Sequence, residues 1–235
     1  MQIIKDLIDS VDSDGIYAET VMIGLHWTAL QSRFVGMSHT YKTNRKIELE
    51  GSGDFMGMSL NELMGKAYSW EPLDASLGIA AINSLIEANG RKGNVNEYIL
   101  EHCSGKSITV IGRFPFNDEV RMKSSKCYLL EVEPKKNELP PFACEEVIPK
   151  SDIAVISATA LINHSLKRLL ELCIDTEAIV LGPTTPMNDV LFKYGADVVA
   201  GVKTIDPRAL MLSVAQGAKS FKKLRGLEPI MRFKE

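Results

Sequence analysis

In the second half of the chain, hydrophobic positions fall in short, unbroken, largely β-branched runs instead of alternating with polar ones. Ile108–Ile111, Ile153–Ile156 and Ile179–Leu181 are too short for helices. They are also too uniformly apolar for half-solvated strands, which is the pattern of parallel strands covered on both faces. Each run ends in a turn of polar or small residues: Gly112 to Phe116, Ser157 to Asn163, and Gly182 to Pro186. Tyr128–Val132 and Val198–Val202 read as further strands, and Asn163 as the N-cap of a helix with Leu166, Leu169, Leu170 and Cys173 on one face. Strands alternating with helices predict a mostly parallel α/β sheet, with a ligand crevice along the edge where the three turns meet.

The N-terminal third has a different rhythm. Residues 16–30 and 33–41 read as two successive strands turning at Gln31-Ser32, an antiparallel meander. Ser59-Leu60-Asn61-Glu62 is a capping box opening a helix. After Ser69-Trp70-Glu71-Pro72 comes a second helix, with Asp74 at its cap. Its small residues Ala75, Gly78, Ala81 and Ser84 suit close approach to another backbone, assigned here to the second domain. Gly90-Arg91-Lys92-Gly93 ends that helix, and Asn94 with Glu97 caps the next. The boundary is placed at Gly93, giving an α+β domain over residues 1–93 and an α/β domain over residues 94–235. Residues 134–141 read as an exposed loop.

Charge and cysteine content narrow the function classes. The 27 basic against 30 acidic residues, a formal charge of −3 with no basic block, argue against nucleic acid as a partner. No apolar run approaches the roughly 18 residues of a membrane span. The Met1–Asp6 start lacks the apolar core of a signal peptide, so a cytoplasmic location is expected. Cys103, Cys127, Cys144 and Cys173 are too widely spaced for a zinc ribbon, and disulfides are not expected.

Candidate chemistry sits at the strand ends. Gly112 stands where a dinucleotide fold places its first glycine, but Pro115 removes an amide that a phosphate cradle would use. Glu131, 19 residues beyond Gly112, has the spacing of a ribose-binding acid, and Arg113 has the fork geometry to hold an anion unless a carboxylate claims it. His164, beside the expected cap, suits a neutral imidazole able to ligate metal or accept a proton. Thr159, Asn163 and Ser165 are alternative anion contacts, and the prolines around Thr184-Thr185 suit a positioned hydroxyl pair. In the first domain, Glu71 beside Trp70 is free to face the second domain. No nucleophile stands at a recognisable spacing from a base.

Taken together, residues 69–83, Ile108 to Phe116, Ala160 to Ser165 and Leu181 to Pro186 resemble the family described as "putative heavy-metal chelation". The resemblance covers nearly the whole chain. It implies an enolase-N-terminal-like domain followed by a Rossmann-like domain, with the site in the cleft between them. Ala158 and Ala160 depart from the glycine and hydroxyl residue more usual in the family before Leu161-Ile162-Asn163. The implied function is binding of a divalent or heavy-metal ion, or its complex, with His164 and Glu71 as ligands and Asp74 and Glu131 nearby. That set suits harder or borderline ions better than soft ones. The competing reading is a nucleotide-like or pterin-like ligand stacked on Trp70 or Phe114 and held by Arg113, Asn163 and Thr184, in a binding protein or an enzyme. A third is a homo-oligomer assembled through the small-residue helix and the Met56–Met58 loop.

Overall fold

The computed structural model describes residues 1–41 and 48–235. In chain order its elements begin with α1 (Gln2–Asp9), β1 (Thr20–Ile23), β2 (Trp27–Gln31), β3 (Val35–His39), α2 (Leu60–Gly65), α3 (Pro72–Asn83), β4 (Arg91–Lys92), α4 (Val95–His102) and β5 (Ser107–Ile111). They continue with α5 (Asn117–Lys123), β6 (Lys126–Leu130), α6 (Cys144–Val147), β7 (Ile153–Ser157), α7 (Leu166–Glu171) and β8 (Glu177–Leu181). The chain closes with α8 (Val190–Lys193), β9 (Val198–Thr204), α9 (Pro207–Ala215) and β10 (Leu227–Phe233). Among the described residues the strands form an antiparallel sheet β1-β2-β3 and a seven-stranded sheet β4-β10-β9-β8-β7-β5-β6. The five strands from β9 to β6 are parallel, and β10 and β4 add an antiparallel edge.

The unbroken apolar runs are buried on both faces, as their composition predicts. Ile153 and Val155 of β7 pack with Ile99 of α4 and Val120 of α5, whereas Ala154 and Ile156 join the cluster containing Leu166 and Leu170 of α7. This second cluster continues without a break into the N-terminal part, through Ile4, Leu60, Leu63, Leu77 and Ile82. Every residue of α3 from Ala75 to Ile82 is buried, so the helix has no solvent face and no amphipathic pattern.

The meander is a sheet covered on both sides. Leu30 packs in the large cluster beside α3, while Ala29 and Met37 pack on Leu210 and Val214 of α9. The last helix of the chain therefore completes the core of its first sheet. Packing on the α3 side is tight: a Cβ on Gly36 would lie 2.2 Å from the Ala80 carbonyl oxygen and 2.3 Å from the Ser84 nitrogen.

Several expectations need correction. The first expected strand is two, β1 and β2, broken at Gly24-Leu25. Helix α1, with Ile3, Ile4 and Leu7 buried, and strands β4 and β10 were not anticipated. Asp74 is not a cap: Glu71 is the N-cap residue of α3 with Pro72 at the first helical position, and Asp74 in the first turn pairs with Lys66 at 3.1 Å. The small-residue face at Gly78 meets the backbone of Lys66 and Ala67, not the parallel sheet. The helix start at Ser59 is as expected, its side chain accepting from the Glu62 amide, which is one half of the capping box, and Asn94 likewise accepts from the Asn96 amide. No disulfide joins cysteines among the described residues. No helix among them is long and apolar enough to cross a membrane.

Two glycine substitutions test this packing. Gly36→Ala should destabilise the protein by about 3 kcal/mol in urea unfolding, because the backbone of α3 cannot retreat from a methyl group. Gly65→Ala, at an open helical position, should be neutral or stabilise by up to about 1 kcal/mol.

Candidate functional site

The order of the parallel strands fixes where a ligand can sit. From β5 the chain adds β6 on one side, then crosses back to add β7, β8 and β9 on the other, so β5 and β7 flank the point where the winding reverses. Crevices in doubly wound sheets lie beyond the carboxyl ends of such strands. Here those ends are Gly112 and Ser157. A Cβ on Gly112 would sit 3.1 Å from the Ser157 Cβ, and its φ of +118° is one that glycine adopts without strain. The Gly112 amide donates to the Leu130 carbonyl and its own carbonyl accepts from Asn117, so this turn does not present its amide as a phosphate cradle would. Phe114 lies against the same turn, stacked on Phe116 at 5.1 Å and 6°.

Arg113, expected to be available for an anion, is engaged. Its guanidinium donates to both carboxylate oxygens of Glu138, at 2.7 and 3.4 Å, and to the Glu133 carbonyl at 2.7 Å. Glu131 approaches it to 3.9 Å. The Arg113 hydrogen bonds hold the Glu138 carboxyl down at about 2, helped by the Lys135 amide. Burial pushes Glu131 the other way, above its ordinary value, with Arg113 opposing. The expected solvent loop 134–141 thus carries the residue that neutralises Arg113, and its Leu139 bridges to the edge of β6.

From the N-terminal side, Tyr41 comes near Asn163; burial raises its phenol, the charges of Glu131 and Glu133 act in the same direction, and Asn163 opposes them. Asn163 is not the helix cap that its position suggests. A single 3-10 turn, Ala158–Leu161, capped by Ser157, intervenes, and Asn163 Oδ1 accepts from the amide and hydroxyl of Ser165, the N-cap residue of α7. Thr159 shares a 2.8 Å hydrogen bond with Ser157 at the strand end.

His164 precedes the cap of α7 and holds a left-handed φ of +61°, a strained conformation for a residue with a Cβ. Its Nε2 lies 2.9 Å from the Ser69 carbonyl oxygen. A carbonyl only accepts, so Nε2 carries the hydrogen, and in the neutral ring Nδ1 keeps a bare lone pair. That Nδ1 is buried with no protein partner among the described residues, and so is Oε1 of Glu71, whose amide is tied to the Ser69 hydroxyl. Trp70 packs edge-on against the imidazole at 4.8 Å, but it is 77% exposed and so makes an outer flank, not a closed stacking wall.

The Thr184-Thr185 pair is buried in the seam between the two sheets. Thr184 Oγ1 accepts from the His39 amide and its carbonyl accepts from Asn83 Nδ2, so this hydroxyl is structural. Gly182, at φ +124°, makes the turn that brings it there. The structure therefore gathers Gly112, Phe114, Glu131, Thr159 and Asn163 along one edge, with Tyr41, Ser69, Trp70, Glu71 and His164 where the N-terminal part overlies it. Tyr41 and Ser69 carry no local sequence signal; only the chain's return across the sheet identifies them. Among the described residues no group of three or more His, Cys, Asp or Glu is placed to hold a metal ion. Of the soft donors, Cys103, Cys144 and Cys173 are buried and Cys127 is half-buried in β6; burial raises the Cys127 thiol and pushes the Cys173 thiol up to about 12.

The Arg113–Glu138 pair makes a pH prediction. Because the folded-state carboxyl is depressed, its contribution to stability is present above the ordinary carboxylate range and is lost as pH falls toward about 2. The Glu138 carboxyl resonance should titrate near 2 by NMR, and Arg113→Ala should move it up toward the ordinary range.

Comparison with known proteins identifies the family and the fold. Two family models, both described as "putative heavy-metal chelation", match residues 4–86 and 94–228. An uncharacterised protein of Methanocaldococcus jannaschii is 29% identical over 194 residues, 74% of each chain. A crystal structure of a DUF364-family protein of unknown function from Desulfitobacterium hafniense superposes with a TM-score of 0.86 at 24% identity, covering 99% of this chain and 97% of that one. A second, from Pyrococcus horikoshii, gives 0.80 at 19%, covering 99% and 98%. These two likenesses establish the shared fold, and the matched models establish membership: the chain belongs to the family described as "putative heavy-metal chelation".

Proposed function

We propose that this protein binds a metal already held by an organic ligand, in the crevice where residues 1–93 overlie the carboxyl edge of the sheet in residues 94–235. The observation that carries this reading is His164: a strained φ of +61°, Nε2–H fixed on the Ser69 carbonyl, and a buried Nδ1 with no protein partner. Backbone strain of this kind persists where surrounding structure enforces it, and it clusters at ligand sites. Glu71 Oε1 supplies a second unpartnered donor from the adjoining turn. Two donors, one nitrogen and one carboxylate oxygen, are too few for a bare ion but suit one whose remaining positions are filled by its own chelator. The family description agrees with metal handling in general terms.

The same crevice offers a second reading, a nucleotide-like or pterin-like ligand, favoured by the flat Phe114–Phe116 stack beside Gly112. Arg113 takes no part in it, being held by Glu138.

The test uses nickel(II) nitrilotriacetate, a chelate with two open coordination positions, titrated into chelator-stripped protein by calorimetry. His164→Gly relieves the left-handed strain while losing one hydrogen bond, effects that offset to within about 1 kcal/mol, so the variant should fold. It should bind the chelate at least tenfold more weakly, and Glu71→Gln should weaken binding to a lesser extent. Unchanged affinity in His164→Gly would overturn the metal reading. Saturable binding of a pterin that Phe114→Ala abolishes and His164→Gly leaves intact would establish the second.

A further inference from the structure

A groove of about 250 Å3 opens between β3 and the segments that follow β8 and β9, and it shares no residue with the crevice at Gly112 and His164. Apolar side chains line part of it, from Val35 and Met37 on one side to Met187 and Val202 on the other, with Gln31, Glu87 and Lys203 among the polar ones. Two of the lining residues carry polar atoms that lie just beneath the surface. Asn83 Oδ1 and Thr185 Oγ1 are both buried without a protein partner among the described residues, and Thr185 is only 4% exposed.

The orientation of Asn83 is fixed. Its Nδ2 donates to the Met37 carbonyl at 2.8 Å and the Thr184 carbonyl at 3.0 Å, so the unpartnered atom is an acceptor. The Thr185 hydroxyl can donate or accept. Buried polar atoms are paired in the large majority of cases, and an exception asks for a ligand or a water. Two exceptions from separate elements in one groove match a single group that donates to Asn83 and accepts from Thr185, and a hydroxyl does both. Both atoms are shut off from solvent by their surroundings, but the groove contains Met37 and Met187, side chains that change rotamer at little cost. The exposed charges lining it are two cations and one anion: Arg33, which pairs with Asp12 at 3.6 Å, Lys203, which has no ion pair among the described residues, and Glu87, so the cations are in excess.

We infer that this groove is a second binding site, one that takes a small organic carboxylate with an apolar body and a hydroxyl at its far end. The hydroxyl is held between Asn83 and Thr185, and the carboxylate lies at the Arg33–Lys203 rim. The site is independent of the metal reading and does not require it.

The probe is 4-hydroxyphenylacetate, compared with phenylacetate by calorimetry and ligand-observed NMR on the full chain. The wild-type protein should bind the hydroxylated compound at least fivefold more tightly. Thr185→Val keeps the side-chain shape while removing the orphaned hydroxyl, so it should erase that preference without lowering the melting temperature. Lys203→Glu, at an exposed position, should weaken both compounds at least fivefold, and His164→Gly should change neither. No saturable binding by the wild type, equal affinity for the two compounds, or undiminished binding in Lys203→Glu would each overturn the inference. The rim variant keeps the test decisive if Thr185→Val fails to fold.

Discussion

The free side of strand β3 is the constraint on which the rest of the structure depends. An edge strand leaves a row of amides and carbonyls that must be paired or solvated. In this protein side chains from distant segments take that place. The Val35 carbonyl accepts from Thr204, the Met37 carbonyl from Asn83, and the His39 amide donates to the Thr184 hydroxyl. Asn83 bonds β3 and the turn after β8 with one amide nitrogen, so the small sheet is fixed to the large one by directional bonds as well as by the shared apolar cluster. Helix α9 covers the opposite face of the meander, which leaves the N-terminal part little freedom to move as a separate body.

That seam determines what reaches the crevice. Tyr41 lies two residues beyond His39, and its amide donates to the Ser76 hydroxyl of α3. The break between α2 and α3 brings the Ser69 carbonyl to His164. Charge along the edge is largely self-contained, since Arg113, Glu138 and Glu131 satisfy one another, so a ligand arriving there meets lone pairs and ring faces more than free cations. The strained His164 is the exception to this local balance. Its geometry is held in place by bonds from outside its own segment, which is the condition under which such strain survives.

What could be read in advance followed from local chemistry. Short apolar runs must be buried on both faces, so β5, β7 and β8 and the edge carrying their turns were legible from Ile108, Ile153 and Ile179 onward. The boxes at Ser59 and Asn94 were legible because a cap is a contact within a few residues. The mixed α/β architecture followed from the alternation of these elements.

The sequence by itself determined the buried strands β5, β7 and β8, the helix starts at Ser59 and Asn94 and which edge carries polar turns, because those outcomes depend on neighbours close along the chain, whereas α1, β4 and β10 were not legible in it. Tertiary structure alone decided that Arg113 is neutralised by Glu138, 25 residues away, and that Thr184 serves the edge of β3 in place of a ligand. It also decided that His164 turns its Nε2 toward a carbonyl 95 residues distant and keeps Nδ1 for other chemistry. An arginine, a threonine and a histidine each have several partners of similar energy available. The choice among them is made by which groups the packed core brings within about 3 Å, the range of a hydrogen bond, and no local pattern encodes that distance.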